Sequence, residues 1–142
     1  MSVGNDITTA FDVAMQTVPG QQSVTVEPPG DPSKFPALEI YEGDWTAIDS
    51  GLNYIRWRAT WTVTGFVQGA GGSDAIADRH ALHGAMVAVI MVDETLGGIV
   101  ERVDLGDVRR RTALLANVRR LSIEQDFEVE FTTSRTNPAL PG

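Results

Sequence analysis

The chain has 142 residues, 42% of them hydrophobic, no cysteine, and a net charge of −8 from 11 basic and 19 acidic side chains. That composition excludes a disulfide framework, a thiolate nucleophile and a zinc–thiolate site, and it argues against a general binder of phosphate backbones, which carries a basic surface. No run approaches the roughly 18 apolar residues that span a bilayer, so no membrane partner is expected. The length suits a single domain over 1–142 with one core. The opening MSVGNDITTAFDVAM has an early Asp and no basic segment, so a secretory signal is not expected.

Within the N-terminal segment 1–20, Val3, Ile7, Phe11, Ala14, Met15 and Val18 recur at spacings of three and four, one apolar stripe of a helix. Ser2 or Asn5 is placed to cap it, and Pro19-Gly20 ends it. Residues 23–27 alternate as a short strand. The stretch 28–36, PPGDPSKFP, is a Pro-rich loop. ALEIYE, 37–42, reads as a second short strand, with turn signals at Gly43-Asp44 and at 49–53, and Trp45 closing the core edge or facing a partner.

Tyr54 to Gln68 gives the clearest alternation. Ile55, Trp57, Ala59, Trp61, Val63 and Val67 share one face, and Arg56, Arg58, Thr60, Thr62 and Thr64 the other. One long strand, or one bent at Gly65, is expected, with one face on helices and the other on solvent or a neighbour. The Gly-rich joint 69–72 leads to a helix over 74–92, capped by Ser73 or Asp74. Ile76, His80, His83, Val87 and Ile90 would share one side of it. So apolar a helix in so short a chain is expected to be covered again by an oligomer. Ile99 to Leu105 is a strand candidate broken by Gly106, with 112–117 ambiguous between strand and tip. Val118 to Thr133 alternates again, and the tail 134–142 reads as extended or loose. The order of elements implies an α+β fold: a mostly antiparallel or mixed sheet of about four to five strands packed against two helices.

Few residues of the chain carry a chemical signature. Gly-rich pieces lack the Lys-Ser/Thr of a phosphate loop, and no nucleophile elbow is present. His80 and His83 sit three apart without facing carboxylates, which favours a helix-face pair over a metal site. Glu124, Asp126, Glu128 and Glu130 form a row on one strand face. Such a row repels itself unless something faces it. Pairing with Arg56 and Arg58 is one reading; a pore wall that keeps DNA from sticking is the other. Arg109, Arg110 and Arg111 follow Gly106-Asp107 and would occupy a loop or hairpin tip, either solvated, or docking to an acidic partner ring or touching DNA phosphates. Trp57 and Trp61 read as core.

The bridge Asp93-Glu94-Thr95-Leu96-Gly97-Gly98-Ile99-Val100 and the final strand Phe127-Glu-Val-Glu-Phe-Thr-Thr133 resemble motifs of the tail terminator proteins of long-tailed bacteriophages and related gene-transfer particles (minor tail protein U-like). The resemblance covers residues 36–134. Glu94 stands where that family commonly has Pro, and Phe131 where it commonly has Tyr. Within it, Leu96, Gly97 and Gly98 form a helix–strand hinge: the glycines take positive φ and Leu96 covers the helix end.

The resemblance implies a non-enzymatic virion protein without cofactors, located at the head-proximal end of the tail after assembly in the host cytoplasm. Its subunits form a homo-hexamer that stops polymerisation of the tail tube protein and presents a surface to the head–tail connector or stopper. DNA passes through the lumen without sequence-specific binding. By charge and pattern, Glu124, Asp126, Glu128 and Glu130 are the candidate lumen acids and Arg109, Arg110 and Arg111 the candidate docking residues. A different neck, head-completion or tail tube protein is the sibling reading, and a small α+β enzyme or ligand-binding domain the alternative of another class.

Overall fold

The computed structural model describes residues 2–69, 73–115 and 118–142. Its elements are α1 (Val3–Gln16), β1 (Ser23–Val26), β2 (Ala37–Ser50), β3 (Tyr54–Gly69), α2 (Ser73–Met91), β4 (Arg102–Leu115) and β5 (Val118–Ser134). The strands form one sheet in the order β1-β2-β3-β5-β4. Only β1 and β2 run parallel; every other pair is antiparallel. The fold is α+β, and its two helices supply the apolar partners of one sheet face.

The stripe of α1 becomes the first half of the core: Val3, Ile7, Phe11 and Met15 are fully or almost fully buried. Ser2 is its cap, accepting a hydrogen bond from the Asn5 N–H at 3.2 Å, which satisfies a donor the first turn leaves open. On β3 and β5, Trp61, Val63, Ile123, Phe127, Val129 and Phe131 point at the helices. Trp61 lies parallel to Phe11 with ring centroids 6.1 Å apart, and Phe131 and Trp45 close the aromatic box. Trp45 thus seals the core edge.

The buried side of α2 differs from the expected one. Ala75, Leu82, Met86 and Ile90 are buried, while Ile76 and His80 are exposed and His83 and Val87 half-buried. The apolar content of α2 is spread round its circumference, so periodicity alone did not choose the face; the sheet did. Asp74 falls in the first turn, where the helix dipole favours an acid. Residues 70–72 of the Gly-rich joint lie outside the described residues, as do 116–117 of the ambiguous stretch; 112–115 belong to β4.

Two strands are longer than their sequence suggests. The glycine-containing pairs expected to end them are bulges. β2 continues past Gly43-Asp44 with register shifts between Glu42 and Trp45 and again between Ala47 and Asp49. β4 starts at Arg102, crosses Gly106-Asp107 through a shift between Leu105 and Val108, and pairs with β5 to its end. A bulge adds unpaired residues to one strand without ending its ladder, provided a long partner continues alongside. Here β3 and β5 are those partners. At Gly43 a Cβ would sit 2.8 Å from the Thr60 carbonyl oxygen. We therefore expect Gly43→Ala to open the bulge and cost about 1–3 kcal/mol, read as a lower urea midpoint at unchanged slope.

The tail also departs from expectation. It folds back instead of extending: the Ser134 N–H donates to the Leu140 carbonyl at 2.8 Å, and the Val3 N–H donates to the Ala139 carbonyl at 2.9 Å. The last residues therefore tie the end of β5 to the start of α1.

Candidate functional site

Three places in this fold carry the residues singled out by sequence: the turn after α2, the open face of the sheet, and the outer edge strand β4.

In the turn, Leu96, Gly97 and Gly98 have φ of 50°, 73° and 89°. Three successive left-handed residues reverse the chain between helix and sheet, and glycine takes that conformation without steric cost. Leu96 takes it despite its side chain, which packs against the core. These residues lie in the turn between α2 and β4. The residue missed by sequence reasoning is Asp93. Its carboxylate accepts hydrogen bonds from the Thr95 N–H at 3.1 Å, the Thr95 hydroxyl at 2.8 Å and the Gly97 N–H at 2.8 Å. The Thr95 hydroxyl bond, then the two backbone N–H groups, hold this carboxyl below its ordinary range. An Asp two residues before a Thr and four before a Gly is the available signal, since a short carboxylate readily organises its own turn.

On the open face of the sheet, the acid row is realised. Glu124, Asp126, Glu128 and Glu130 all project from β5 to the side away from the helices, opposite Thr64, Thr62, Thr60 and Arg58. The row is not bare. Arg58 reaches Glu130 at 2.6 Å, and Arg109 reaches Asp126 at 2.7 Å and Glu124 at 3.4 Å. Arg111 also meets Glu124, and Arg102 meets Glu130. Glu128 accepts from the Thr60 hydroxyl, and Asp126 from the Thr62 hydroxyl. The Arg109 hydrogen bond holds the Asp126 carboxyl low against the opposing effect of burial, and the same bond raises the guanidinium. Arg56 turns to Glu101 and Asp49 and leaves the row to others. Each exposed pair is worth at most about 1 kcal/mol and is weakened by salt; together they cancel the self-repulsion of the row.

The arginine triplet is not on a loop or hairpin tip. It lies within β4, opposite Glu124, Ile123 and Ser122. The cause is the bulge at Gly106, which lets the strand resume. Alternation then splits the triplet. Arg109 and Arg111 face the acid row, and Arg110 faces the helix side. Of the three, only Arg110 has no ion pair among the described residues.

Beside the row, Glu39 and Tyr41 border a cleft of about 510 Å³ that also takes in Asp31, Arg111 and Glu124. Burial raises the Glu39 carboxyl, and a 2.9 Å hydrogen bond from the Tyr41 hydroxyl offsets part of that. Burial and Glu39 push the Tyr41 phenol up to about 12. A carboxyl whose folded pKa exceeds its unfolded value binds its proton more tightly when folded, so ionisation costs stability. The cost is absent below the unfolded carboxylate range, grows as pH rises through the folded value, and is complete above it. Glu39→Gln is therefore expected to raise Tm at pH 7, with the advantage over the parent shrinking towards pH 4. A pH-independent difference would refute burial as the cause.

On the helix side, His83 Nε2 lies 2.8 Å from Gln125 Oε1, and Gln125 Nε2 donates to the Gly106 and Asp126 carbonyls. With both amide hydrogens spent on carbonyls, Oε1 is the acceptor and His83 carries its proton on Nε2. The histidine thus serves the buried amide that supports the β4 bulge. No group of three or more metal-ligating side chains occurs among the described residues, and no helix among them is long and apolar enough to cross a membrane.

No family model and no curated protein matches the chain. Among solved structures it is similar to a chain of the "Virion of native gene transfer agent (GTA) particle", with a TM-score of 0.46 and 12% identity over 91% of this chain and 92% of that one. At that level the likeness assigns no role to any residue.

Proposed function

We propose that the chain is a non-enzymatic virion subunit, a tail terminator. Six copies would close into a ring on the head-proximal end of the tail tube, stop its growth and meet the connector. The observation that carries this reading is the bridge Asp93–Val100. Its pattern resembles that of the terminators, and its residues build a turn that links helix to sheet. The final strand, with Phe127, Val129 and Phe131 buried, adds the second motif.

In such a ring the open face of the sheet is the wall we assign to the lumen. Its acids are balanced by arginines that are themselves occupied, so passing DNA meets neither a strong repulsive field nor a free cation. Of the docking candidates, Arg109 and Arg111 are committed to that ladder, and Arg110 alone is available to a partner.

Negative-stain imaging of particles made with and without the protein tests this reading. Tails of irregular, overgrown length in its absence, and normal tails joined to heads in its presence, are expected. Normal tail lengths in both cases, with heads unjoined, would move the protein to the neck. An unchanged virion would return attention to the cleft beside Glu39 and a small ligand.

A further inference from the structure

The helix layer has an outward groove that the core does not use. Ala10 and Val13 of α1, Val89 of α2, and Leu96 and Ile99 of the turn line about 520 Å³ of mostly apolar space. Val13 is 61% exposed. Two acids border the groove, Asp6 and Asp93. The Asp6 carboxylate keeps one oxygen, Oδ1, shut from solvent and without a hydrogen-bond partner, an uncommon state for a buried polar atom. Asp93 is held ionised by the turn it organises.

A second surface on the same chain has the opposite character. α2 covers β3 and β5 but leaves the outer part of β4 uncovered. There Leu105, Val108 and Arg110 stand opposite the inward-facing Phe127, Gln125 and Ile123, so all three project to the helix side. Leu105 is 49% and Val108 37% exposed. Arg110 is the one arginine of the triplet without an ion pair among the described residues. The patch therefore offers two apolar side chains and one unspent guanidinium, against an apolar groove with two carboxylates at its rim.

We infer that the occupant of the groove is the β4 edge of a second copy of this chain, with Leu105 and Val108 seated between α1 and the turn and Arg110 paired with Asp6 or Asp93. The partner surfaces are two different patches, so the contact is head-to-tail. Repetition of such a contact either closes into a ring or runs on as a filament. The inference rests on the ring reading for its biological setting and gives that reading a subunit interface.

The absence of cysteine from the chain makes the test direct. Val13→Cys and Val108→Cys are introduced together, and the purified protein is oxidised at high concentration and run without reductant. A second protein carrying Leu52→Cys with Val108→Cys serves as control, since Leu52 is 90% exposed and outside the groove. The expected result is a ladder of cross-linked multimers at least tenfold faster than in the control. Arg110→Glu should abolish the excess, and Asp6→Arg combined with Arg110→Glu should restore it. Cross-linking no faster than the control, whether or not the protein associates, overturns the proposed contact. Native mass spectrometry of the uncross-linked protein with added tube separates the two readings. A six-fold species without the specific cross-link keeps the ring and discards this interface. The specific cross-link in open chains only keeps the interface and discards the ring.

Discussion

Trp61→Ala is expected to lower stability by about 3–5 kcal/mol, in the range of other large-to-small aromatic truncations in cores. Trp61 is fully buried, lies flat against Phe11 and edges onto Phe131. Its indole N–H donates to the Thr8 hydroxyl at 3.0 Å. Truncation therefore leaves a cavity at the junction of α1 and β3 and strands a hydroxyl. Domains of this size hold only about 5–15 kcal/mol in total, so about a fifth or more of the stability is at stake. Thermal unfolding followed by circular dichroism should show Tm lower by roughly 10–20 °C. The comparison needs one protein concentration, because assembly raises apparent stability by mass action. Trp61→Phe should recover most of the loss, and Thr8→Val, which leaves the buried indole N–H without its acceptor, should cost about 1–3 kcal/mol. A loss below about 1 kcal/mol for Trp61→Ala would show that the aromatic box does not anchor α1.

Neutralising the acid row should turn the open face into a DNA-binding strip. Glu124→Gln, Asp126→Asn, Glu128→Gln and Glu130→Gln together move the net charge from −8 to −4. More important, they release Arg58, Arg109 and Arg111 from the carboxylates that now hold them, while Arg102 stays paired with Asp104 at 2.6 Å. Three free guanidiniums on one sheet face can each reach a phosphate. If all three do, affinity for duplex DNA should fall about fortyfold between roughly 50 and 200 mM salt, from a slope near −0.9 per contact. The parent should show no measurable binding under the same conditions. Fluorescence anisotropy with a labelled duplex reads the effect, and far-UV circular dichroism checks that the sheet persists. A folded variant that binds DNA no better than the parent would mean that the arginines stay buried against their strands. The ladder would then have no part in keeping the open face free of phosphate contacts.

The acid row and the arginine triplet show how far charge pattern reaches. Both were visible in the chain as runs of like charge, and period-two alternation placed the acids on one strand face. Pattern does not reveal which charge meets which. Register does that, and register comes from pairing along the length of β3 and β5. The triplet shows the cost of misreading a glycine. Gly106 looks like a strand end, yet in the sheet it is a bulge, because a long partner strand continues past it. Once β4 resumes, two of the three arginines belong to the acid row and the third to the opposite face.

By itself the sequence determined the elements whose periodicity is strong and one-sided: α1 through Val3, Ile7, Phe11 and Met15, the two long strands through alternation, and the turn through Leu96, Gly97 and Gly98. Each of these follows from local geometry, where side-chain spacing and allowed φ act within a few residues. The α+β class follows from their order. Tertiary structure alone decided the rest. It chose the buried side of α2, whose apolar residues surround the axis and offer no single stripe. It carried β2 and β4 through their glycines and folded the tail back onto Val3. It also separated Arg110 from its neighbours. These outcomes depend on contacts between segments far apart in the chain, and the free energy of those contacts exceeds the local preferences that they override.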